Sequence, residues 1–373
     1  MSAVANCIAW TGLELALAAI ATAATPLHEV LPLKVPPAPP GFTAMNPAET
    51  GVTFTNELDS WISASNRVLN NGSGVAAGDF DGDGRVDLFF CSLNQQNRLF
   101  RNRGNWQFED VTAQAGLHFP PLFYRAAVFA DIDGDGWLDL LVGTVGQGVL
   151  CFLNDQHGHF KDVTASANIT NAFGTETLAL ADVDGNGTLD LYVANNRTDD
   201  TRDWPRIPVM YVNKKPTVPP QLRNRLTFEN GVVQEFGEPD TLYLNDGRGH
   251  FSAVPWTNGV FLDENGAPLT NAPLDWGLAA GFRDLNGDGA PDLYVCNDYW
   301  TPDRMWLNDG RGHFRAVGAL AWRKMPASSM GVDFADIDRD GWVDIFAVDM
   351  LSRSSELRRR QTVAKRATPV RLG

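Results

Sequence analysis

Five short acidic segments of the chain follow the pattern D-x-[DN]-x-[DN]-G-x-x-D, which repeats side-chain oxygens at fixed positions. Counted from the first aspartate, positions 1, 3, 5 and 9 offer side-chain oxygens, and position 7 offers its backbone carbonyl. Ca²⁺ takes about six to eight oxygen ligands, so the pattern predicts about five calcium ions, one in each loop. The predicted ligands are Asp79, Asp81, Asp83, Arg85 and Asp87; Asp131, Asp133, Asp135, Trp137 and Asp139; Asp182, Asp184, Asn186, Thr188 and Asp190; Asp284, Asn286, Asp288, Ala290 and Asp292; and Asp336, Asp338, Asp340, Trp342 and Asp344.

Glycine occupies position 6 in all five loops, because a tight turn around an ion needs backbone angles that glycine adopts at little cost. An EF-hand would carry a bidentate glutamate at position 12, but this position is apolar in every loop, so an EF-hand is excluded. Mg²⁺ would keep more water, so we expect Ca²⁺. Asn186 and Asn286 replace carboxylates and should weaken loops three and four, whereas Arg339, at position 4 of loop five, replaces no ligand.

The overall charge agrees with bound cations. The 373 residues carry 45 acidic and 30 basic side chains, a formal net charge of −15, and the clustered aspartates would repel one another unless cations neutralised them. The four cysteines, Cys7, Cys91, Cys151 and Cys296, show no C-x-x-C spacing. This leaves zinc and thioredoxin-like sites without support and predicts buried free thiols.

The loops recur with a fixed period. Their first aspartates are separated by 52, 51, 102 and 52 residues, and a period near 50 is typical of repeat proteins. A segment that contains an aromatic hairpin, such as DTLYLNDGRGHF, begins 18, 17 and 19 residues after the first aspartates of loops one, two and four, but 58 residues after that of loop three. The wide interval therefore predicts one repeat enlarged by an insertion at about 197–239, with roughly ten further residues before loop four.

The sequence pattern of each repeat predicts four short strands. A small apolar strand precedes the loop, an apolar run such as DLLVG or DLYVC follows it, and the aromatic hairpin supplies two more. The runs after the loop are apolar on both faces, which predicts buried strands inside a sheet. Four strands at this period are typical of a propeller blade, and a β-sandwich array and a β-solenoid are the alternatives.

The loop pattern, with [LF]-x-N-[DR]-x-G-x-F between loops, resembles the FG-GAP/VCBS repeats of integrin α-like propellers over about residues 45–350. The resemblance implies an all-β propeller of about seven blades in the full protein, with calcium in the blade loops, and a bacterial exported protein. Only five loops are present, and the fifth repeat stops after DMLSR, so we expect an incomplete or atypical ring. The segment GVTFTN at 51–56 is a candidate outer strand for the last blade.

The two ends of the chain differ from the repeats. Residues 13–24 resemble the apolar region of a signal peptide, with an ordinary lead-in as the alternative, and they are too short to span a membrane. The predicted organisation is a signal peptide at 1–24, a linker at 25–44, the propeller at 45–351 and a basic tail at 352–373. This predicts an extracellular, periplasmic or cell-envelope location. We expect a solvated tail and no nucleic-acid partner.

No G-x-S-x-G, H-E-x-x-H or P-loop pattern occurs, and the clustered carboxylates are assigned to calcium, so no enzymatic activity is predicted. His159, His250 and His313 recur in one G-H-F motif, which indicates a structural role. The predicted function is a calcium-dependent binding, adhesion or scaffold module for a protein or carbohydrate ligand. The alternative is a propeller lyase or hydrolase acting on polysaccharide or another polymer. The insertion either carries a binding surface or covers a blade edge, and three nearby tryptophans either stack on sugar or pack internally; they are Trp204, Trp256 and Trp300.

Overall fold

A computed structural model describes residues 41–94, 96–229, 232–299, 301–321, 325–326, 328–350, 352 and 354–357. The predicted signal peptide, most of the linker, most of the basic tail, Cys7 and Trp300 lie outside the described residues, and the domain bounds remain predictions. Helices are few and short in the described part of the chain. They are α1 (Pro47–Thr50), α2 (Ser60–Ser65), α3 (Thr164–Ala167) and the 3-10 turns Arg67–Asn71, Thr201–Asp203, Pro220–Leu222 and Ala319–Ala321.

The first two repeats each form a four-stranded antiparallel sheet whose strands are paired in chain order. The strands of the first sheet, blade one, are β1 (Val75–Gly78), β2 (Asp87–Phe90), β3 (Arg98–Asn102) and β4 (Phe108–Asp110). The strands of blade two are β5 (Tyr124–Ala130), β6 (Asp139–Thr144), β7 (Val149–Asn154) and β8 (Phe160–Asp162). In each sheet the acidic loop connects the first strand to the second, as the repeat pattern predicts.

The third repeat keeps this four-stranded sheet although the insertion interrupts it. Blade three begins with β9 (Thr175–Ala181) and β10 (Asp190–Asn195), and the insertion then forms two separate hairpins. The hairpin strands are β11 (Met210–Val212), β12 (Lys215–Thr217), β13 (Leu226–Glu229) and β14 (Val232–Glu235). The outer strands β15 (Thr241–Asn245) and β16 (Phe251–Val254) complete the blade. The two turn residues of the β13–β14 hairpin lie outside the described part.

The fourth repeat has a fifth strand, and two strands of the fifth repeat are described. The extra residues before loop four supply β17 (Phe261–Leu262), which pairs in parallel with the outermost strand of blade four. The other strands of blade four are β18 (Gly277–Arg283), β19 (Asp292–Asn297), β20 (Arg304–Asn308) and β21 (Phe314–Ala316). Blade five has two described strands, β22 (Ser329–Ala335) and β23 (Asp344–Asp349).

The sheets pack against one another through shared apolar cores. The first strand of each blade contacts the first strand of the next, from β1 through β5, β9 and β18 to β22. Phe89 of blade one and Phe152 of blade two belong to one core, and Leu141 of blade two and Leu191 of blade three to the next. The described structure is thus all-β and of the propeller type, with the ring not closed.

The strand after the loop is fully buried in the three middle blades. Every residue of β6, β10 and β19 is buried, and each of these strands is paired on both edges. In blade one, β2 is also paired on both edges, but its Leu88 and Phe90 are only half-buried. In β23, which is paired only with β22 among the described strands, Phe346 and Val348 are exposed. Pairing within a blade is therefore not sufficient to bury these apolar runs completely.

The segment at 51–56 does not form the predicted outer strand of the last blade. It has no regular secondary structure and lies against blade one. Phe54 stacks on Phe90, with ring centroids 5.0 Å apart, and the Leu93 N–H donates to Asn56 Oδ1 at 2.9 Å. These contacts hold the segment against the outer part of blade one, so the prediction for 51–56 is wrong.

Ion pairs and aromatic contacts connect the insertion to the propeller. The Arg197 guanidinium lies 4.7 Å from the ring centre of Trp276 and 5.0 Å from that of Tyr299, and it pairs with Asp200 at 3.0 Å. Such stacking on two rings is favourable for a buried guanidinium. The inner part of the insertion is therefore packed against blade four.

Two of the tryptophans proposed for sugar stacking have other partners in the structure. Trp256 is buried, packs against Phe261 with ring centroids 4.0 Å apart, and donates its indole N–H to the Asp240 carbonyl at 2.8 Å. Trp204 is half-buried under the Arg225 guanidinium, which lies 5.0 Å from its ring centre. Of the two alternatives for these tryptophans, internal packing holds for Trp256, because its ring lies in the core of blades three and four.

Asp240 is a buried carboxylate that should make stability depend on pH. It accepts from the Asn195 N–H and the Tyr192 hydroxyl, each at 2.7 Å, but burial outweighs these donors and raises the pKa to about 7. A carboxyl group whose pKa is raised in the folded state stabilises the fold below its pKa in the unfolded chain, about 4. This contribution to stability is lost as pH rises through about 7. As pH rises from about 5 to 8, we expect the free energy of unfolding to fall less for the Asp240→Asn variant than for the parent protein. Urea unfolding in saturating calcium tests this, and equal pH slopes for both proteins would contradict it.

Candidate metal sites

The aspartate at position 1 of each loop organises the turn that follows it. In loop two, Asp131 Oδ1 accepts from the Gly134 N–H at 2.7 Å, and Asp131 Oδ2 accepts from the Gly136 N–H at 2.9 Å. The N–H of the glycine at position 6 makes the same bond in the other four loops. The first carboxylate therefore faces the inside of its loop, where a bound cation would also lie.

The loops turn through backbone angles that favour glycine. Gly136 has a φ of 89°, and its counterparts at position 6 in the other loops are similar. The residue at position 4 also has a left-handed backbone conformation, and in loop five Arg339 adopts a φ of 66° there. Because a Cβ makes this conformation costly, loop five retains the turn of the other loops with some backbone strain. The prediction that Arg339 leaves the loop intact agrees with this geometry.

The aspartate at position 9 is buried and accepts hydrogen bonds from two parts of its blade. Asp139 is 0% exposed, its Oδ2 accepts from the Ile132 N–H at 2.9 Å, and its Oδ1 accepts from the Asn154 N–H at 2.8 Å. Asp87, Asp190 and Asp292 make the same two bonds in their own blades. This residue thus connects the loop to the third strand of the sheet.

Burial makes these carboxylates costly to ionise. It raises the pKa of Asp139 to about 7 and those of Asp87 and Asp190 to about 6, and neighbouring loop aspartates add to the shift in each case. A divalent cation would reverse this cost, since an adjacent positive charge favours the ionised form. The charge arrangement therefore favours a bound cation.

The structure brings the carboxylates of positions 1, 3 and 9 together. In loops one, two, three and five, one oxygen from each of these three residues lies within 4.8 Å of the others. Loop four has Asn286 at position 3, so it offers an amide oxygen in place of the third carboxylate. Oxygen atoms at these separations can share one hard cation.

Positions 5 and 7 lie in the same turns. The side chain at position 5 accepts a hydrogen bond from the backbone N–H at position 7. In loop two, Asp135 Oδ1 accepts from the Trp137 N–H at 2.9 Å. The position-5 side chains of the other four loops accept the position-7 N–H in the same way. The structure does not test the predicted backbone ligands at position 7, so Arg85, Trp137, Thr188, Ala290 and Trp342 remain predictions.

A recurring asparagine, the last residue of the third strand, connects neighbouring blades. Asn154 Nδ2 donates to the Leu138 carbonyl of its own blade at 3.0 Å and to the Phe80 carbonyl of blade one at 2.8 Å. Asn245 and Asn308 make the equivalent bonds to Ile132 of blade two and Val183 of blade three. Sequence reasoning used this residue only as part of the hairpin motif and did not predict its role, although its recurrence before each hairpin turn marked it.

The recurring histidines lie in the hairpin turns rather than in a site. Their backbone N–H groups donate to the aspartate four residues earlier, as in His159 to Asp155 Oδ1 at 3.1 Å, and the side chains are exposed. This supports the structural interpretation. The three described cysteines, Cys91, Cys151 and Cys296, are free and buried, as predicted.

Successive antiparallel sheets, each with an acidic loop between its first two strands, define a propeller-type repeat protein. The FG-GAP-like repeat model matches residues 79–142, 131–193 and 284–347, which contain all five loops. The chain is therefore an FG-GAP-like repeat protein, as its loop pattern indicated.

The chain is similar to two vertebrate proteins along most of its length. It is 32% identical to cartilage acidic protein 1 of Homo sapiens over 325 residues, covering 79% of this chain and 41% of that protein. With cartilage acidic protein 1 of Xenopus tropicalis it shares 27% identity over 324 residues, covering 79% and 42%. The chain thus spans about two fifths of the length of these relatives. The predicted bacterial origin remains a prediction.

Solved structures add only a weak likeness. A structure of an Agrocybe aegerita lectin, described as recognising terminal N-acetylglucosamine, matches with a TM-score of 0.26 and 19% identity, covering 64% of this chain and 63% of that one. The V. cholerae biofilm matrix protein Bap1 matches with a TM-score of 0.30 and 17% identity, covering 68% and 40%. These scores carry no argument about this chain. Within its described residues, the helices are all too short or too polar to cross a membrane.

Proposed function

We propose that this chain is an exported calcium-binding repeat module that recognises another macromolecule. The observation that carries the calcium part is the convergence of three carboxylates in four loops, on turns fixed by backbone hydrogen bonds. Hard oxygen donors in an acidic, partly buried cluster suit Ca²⁺ or Mg²⁺ rather than a softer metal. When bound, the ion would neutralise these carboxylates and hold the first two strands of each blade together.

Calcium fits the loops better than magnesium. Each loop can offer oxygens from five residues, counting the side chains at positions 1, 3, 5 and 9 and the position-7 carbonyl. Mg²⁺ usually keeps several waters and binds through one or two carboxylates, whereas Ca²⁺ accepts a larger and less regular set of protein oxygens. Loops three and four, with Asn186 and Asn286 in place of carboxylates, would bind more weakly than loop two.

Recognition of a protein or carbohydrate is the function that best accommodates the rest of the structure. The insertion of blade three is a surface elaboration on an otherwise regular repeat, and its β11–β12 hairpin exposes Met210, Tyr211 and Val212. Two buried acids outside the loops have structural partners: Asp240 binds Tyr192, and Glu176 pairs with Arg125. A location outside the cell would follow from the predicted signal peptide and would supply millimolar calcium.

Ion counting tests the calcium proposal. After dialysis at about 10⁻³ M free Ca²⁺, we expect roughly three to five ions per chain, and equimolar Mg²⁺ should not displace them. Asp133→Ala, which removes the position-3 ligand of loop two and leaves no side-chain oxygen there, should lower the count by about one. Less than one ion per chain would overturn the proposal. Recognition is tested by screening the protein against protein and glycan arrays in calcium and in chelator, with calcium-dependent capture as the expected result.

A further inference from the structure

Loop one has charged neighbours that the other loops lack. Arg101 of β3 pairs with Asp81, and its Nη2 lies 3.6 Å from Asp83 Oδ2. Arg85, at position 7, also pairs with Asp83 and donates its Nε–H to the Asn102 carbonyl at 2.8 Å. Among the described residues, no other loop has an ion pair to its position-3 or position-5 side chain.

A single change in the repeat places Arg101 beside loop one. It immediately precedes the recurring asparagine of the third strand, here Asn102. The equivalent residue is leucine in the next three blades: Leu153, Leu244 and Leu307. Because the third strand pairs with the strand that follows the loop, a long cationic side chain at this position reaches the loop carboxylates, whereas leucine does not carry a charge there.

Arg101 occupies oxygens that a cation would need. The Asp81 side chain is 8% exposed, and both of its carboxylate oxygens are shielded from solvent without a hydrogen-bond donor of good geometry. A buried carboxylate is costly unless a positive charge lies beside it. The Arg101 guanidinium bridges positions 3 and 5, and together with Arg85 it brings two positive charges, the charge of one Ca²⁺.

We infer that Arg101, assisted by Arg85, replaces the calcium ion of loop one, so that this loop keeps its fold without a metal while the other loops require one. The inference rests on the proposed calcium binding of those other loops. It assigns Arg101 as the residue that sets metal occupancy in blade one.

Arg101→Leu, which restores the residue of the other blades, is the direct test. Dialysis against about 10⁻³ M Ca²⁺ should give about one more ion per chain than the parent protein. In chelator the variant should melt below the parent, because Asp81 has lost its cation, and added calcium should remove this difference. Adding Asp81→Ala to the variant should abolish the extra ion. Arg103→Leu, which removes an exposed arginine paired with Glu109 at the end of the same strand, is the charge-matched control and should leave the count unchanged.

A second comparison uses the parent background and does not depend on folding of the leucine variant. Asp81→Ala should leave the ion count unchanged, whereas Asp133→Ala, the same change in loop two, should lower it by about one. Loss of an ion in Asp81→Ala would overturn the inference, as would a leucine variant that melts lower without recovery in calcium and with no extra ion. If the parent and all variants bind no calcium, the proposed function fails instead.

Discussion

Removing calcium should lower the thermal unfolding midpoint of this protein by roughly 10 °C or more. A ligand that binds only the folded state contributes roughly 1–3 kcal/mol per site at about 10 to 100 times its dissociation constant. Three or four ions would then contribute several kcal/mol, and each kcal/mol moves the midpoint of a large domain by about 2–4 °C. Without ions, the converging carboxylates of loops two, three and five repel one another across 4.8 Å or less.

Calorimetric scans in excess chelator and in about 10⁻³ M free calcium measure this effect at an ordinary extracellular concentration. Scans at high sodium chloride separate specific binding from general screening, because salt weakens exposed charge repulsion without filling a site. Magnesium at the same concentration should reverse only part of the fall in the unfolding midpoint. Identical midpoints in calcium and chelator would contradict the calcium sites altogether.

Asp139→Ala should destabilise blade two by roughly 3–5 kcal/mol even before its effect on calcium is counted. The substitution leaves the buried N–H groups of Ile132 and Asn154 without their acceptor, and each unsatisfied buried donor costs about 1–3 kcal/mol. Both bonds are short, at 2.9 and 2.8 Å, and the carboxylate is fully buried. Relief of the burial cost of this carboxylate, together with loss of repulsion from Asp133, offsets part of this cost in the absence of metal.

The control for this variant is Asp135→Ala, in the same loop. Asp135 also accepts a backbone N–H, that of Trp137, but at an exposed site where water can replace the carboxylate. In chelator we expect this control to lose less than about 1 kcal/mol by urea unfolding. In calcium both variants should lower the ion count by about one. Equal destabilisation of the two variants in chelator would show that position 9 has no special structural role.

The sequence identified the loops and the blade pattern because both depend on residues close together in the chain. Glycine at position 6 reports a left-handed turn directly, and Gly136 adopts it. The apolar runs after the loops gave the second strand of each blade, and the hairpin motif gave the third and fourth. The enlarged third repeat was also located from spacing alone, since it retains the four-stranded sheet on either side of its insertion.

Other features depended on neighbours that spacing does not reveal. The segment at 51–56 has a strand-like composition, yet Phe54 packs on Phe90 of blade one. Trp256 has the same indole ring, with its polar N–H edge, as a tryptophan that stacks on sugar, but this ring lies in the core. Phe54 contacts Phe90 and Trp256 contacts Trp306, which are 36 and 50 residues away in the chain, so the local pattern could not choose between surface and interior.

The acidic loops show the same division. Their number, their ligand types and their turns followed from the sequence, because a nine-residue turn is set by its own side chains and backbone angles. Only the tertiary structure decided that Asp139 accepts a hydrogen bond from the backbone of the third strand and that Arg101 reaches loop one. These relations depend on how the third strand is paired beside the loop, and strand register is fixed by the packing of the whole blade rather than by residues near in sequence.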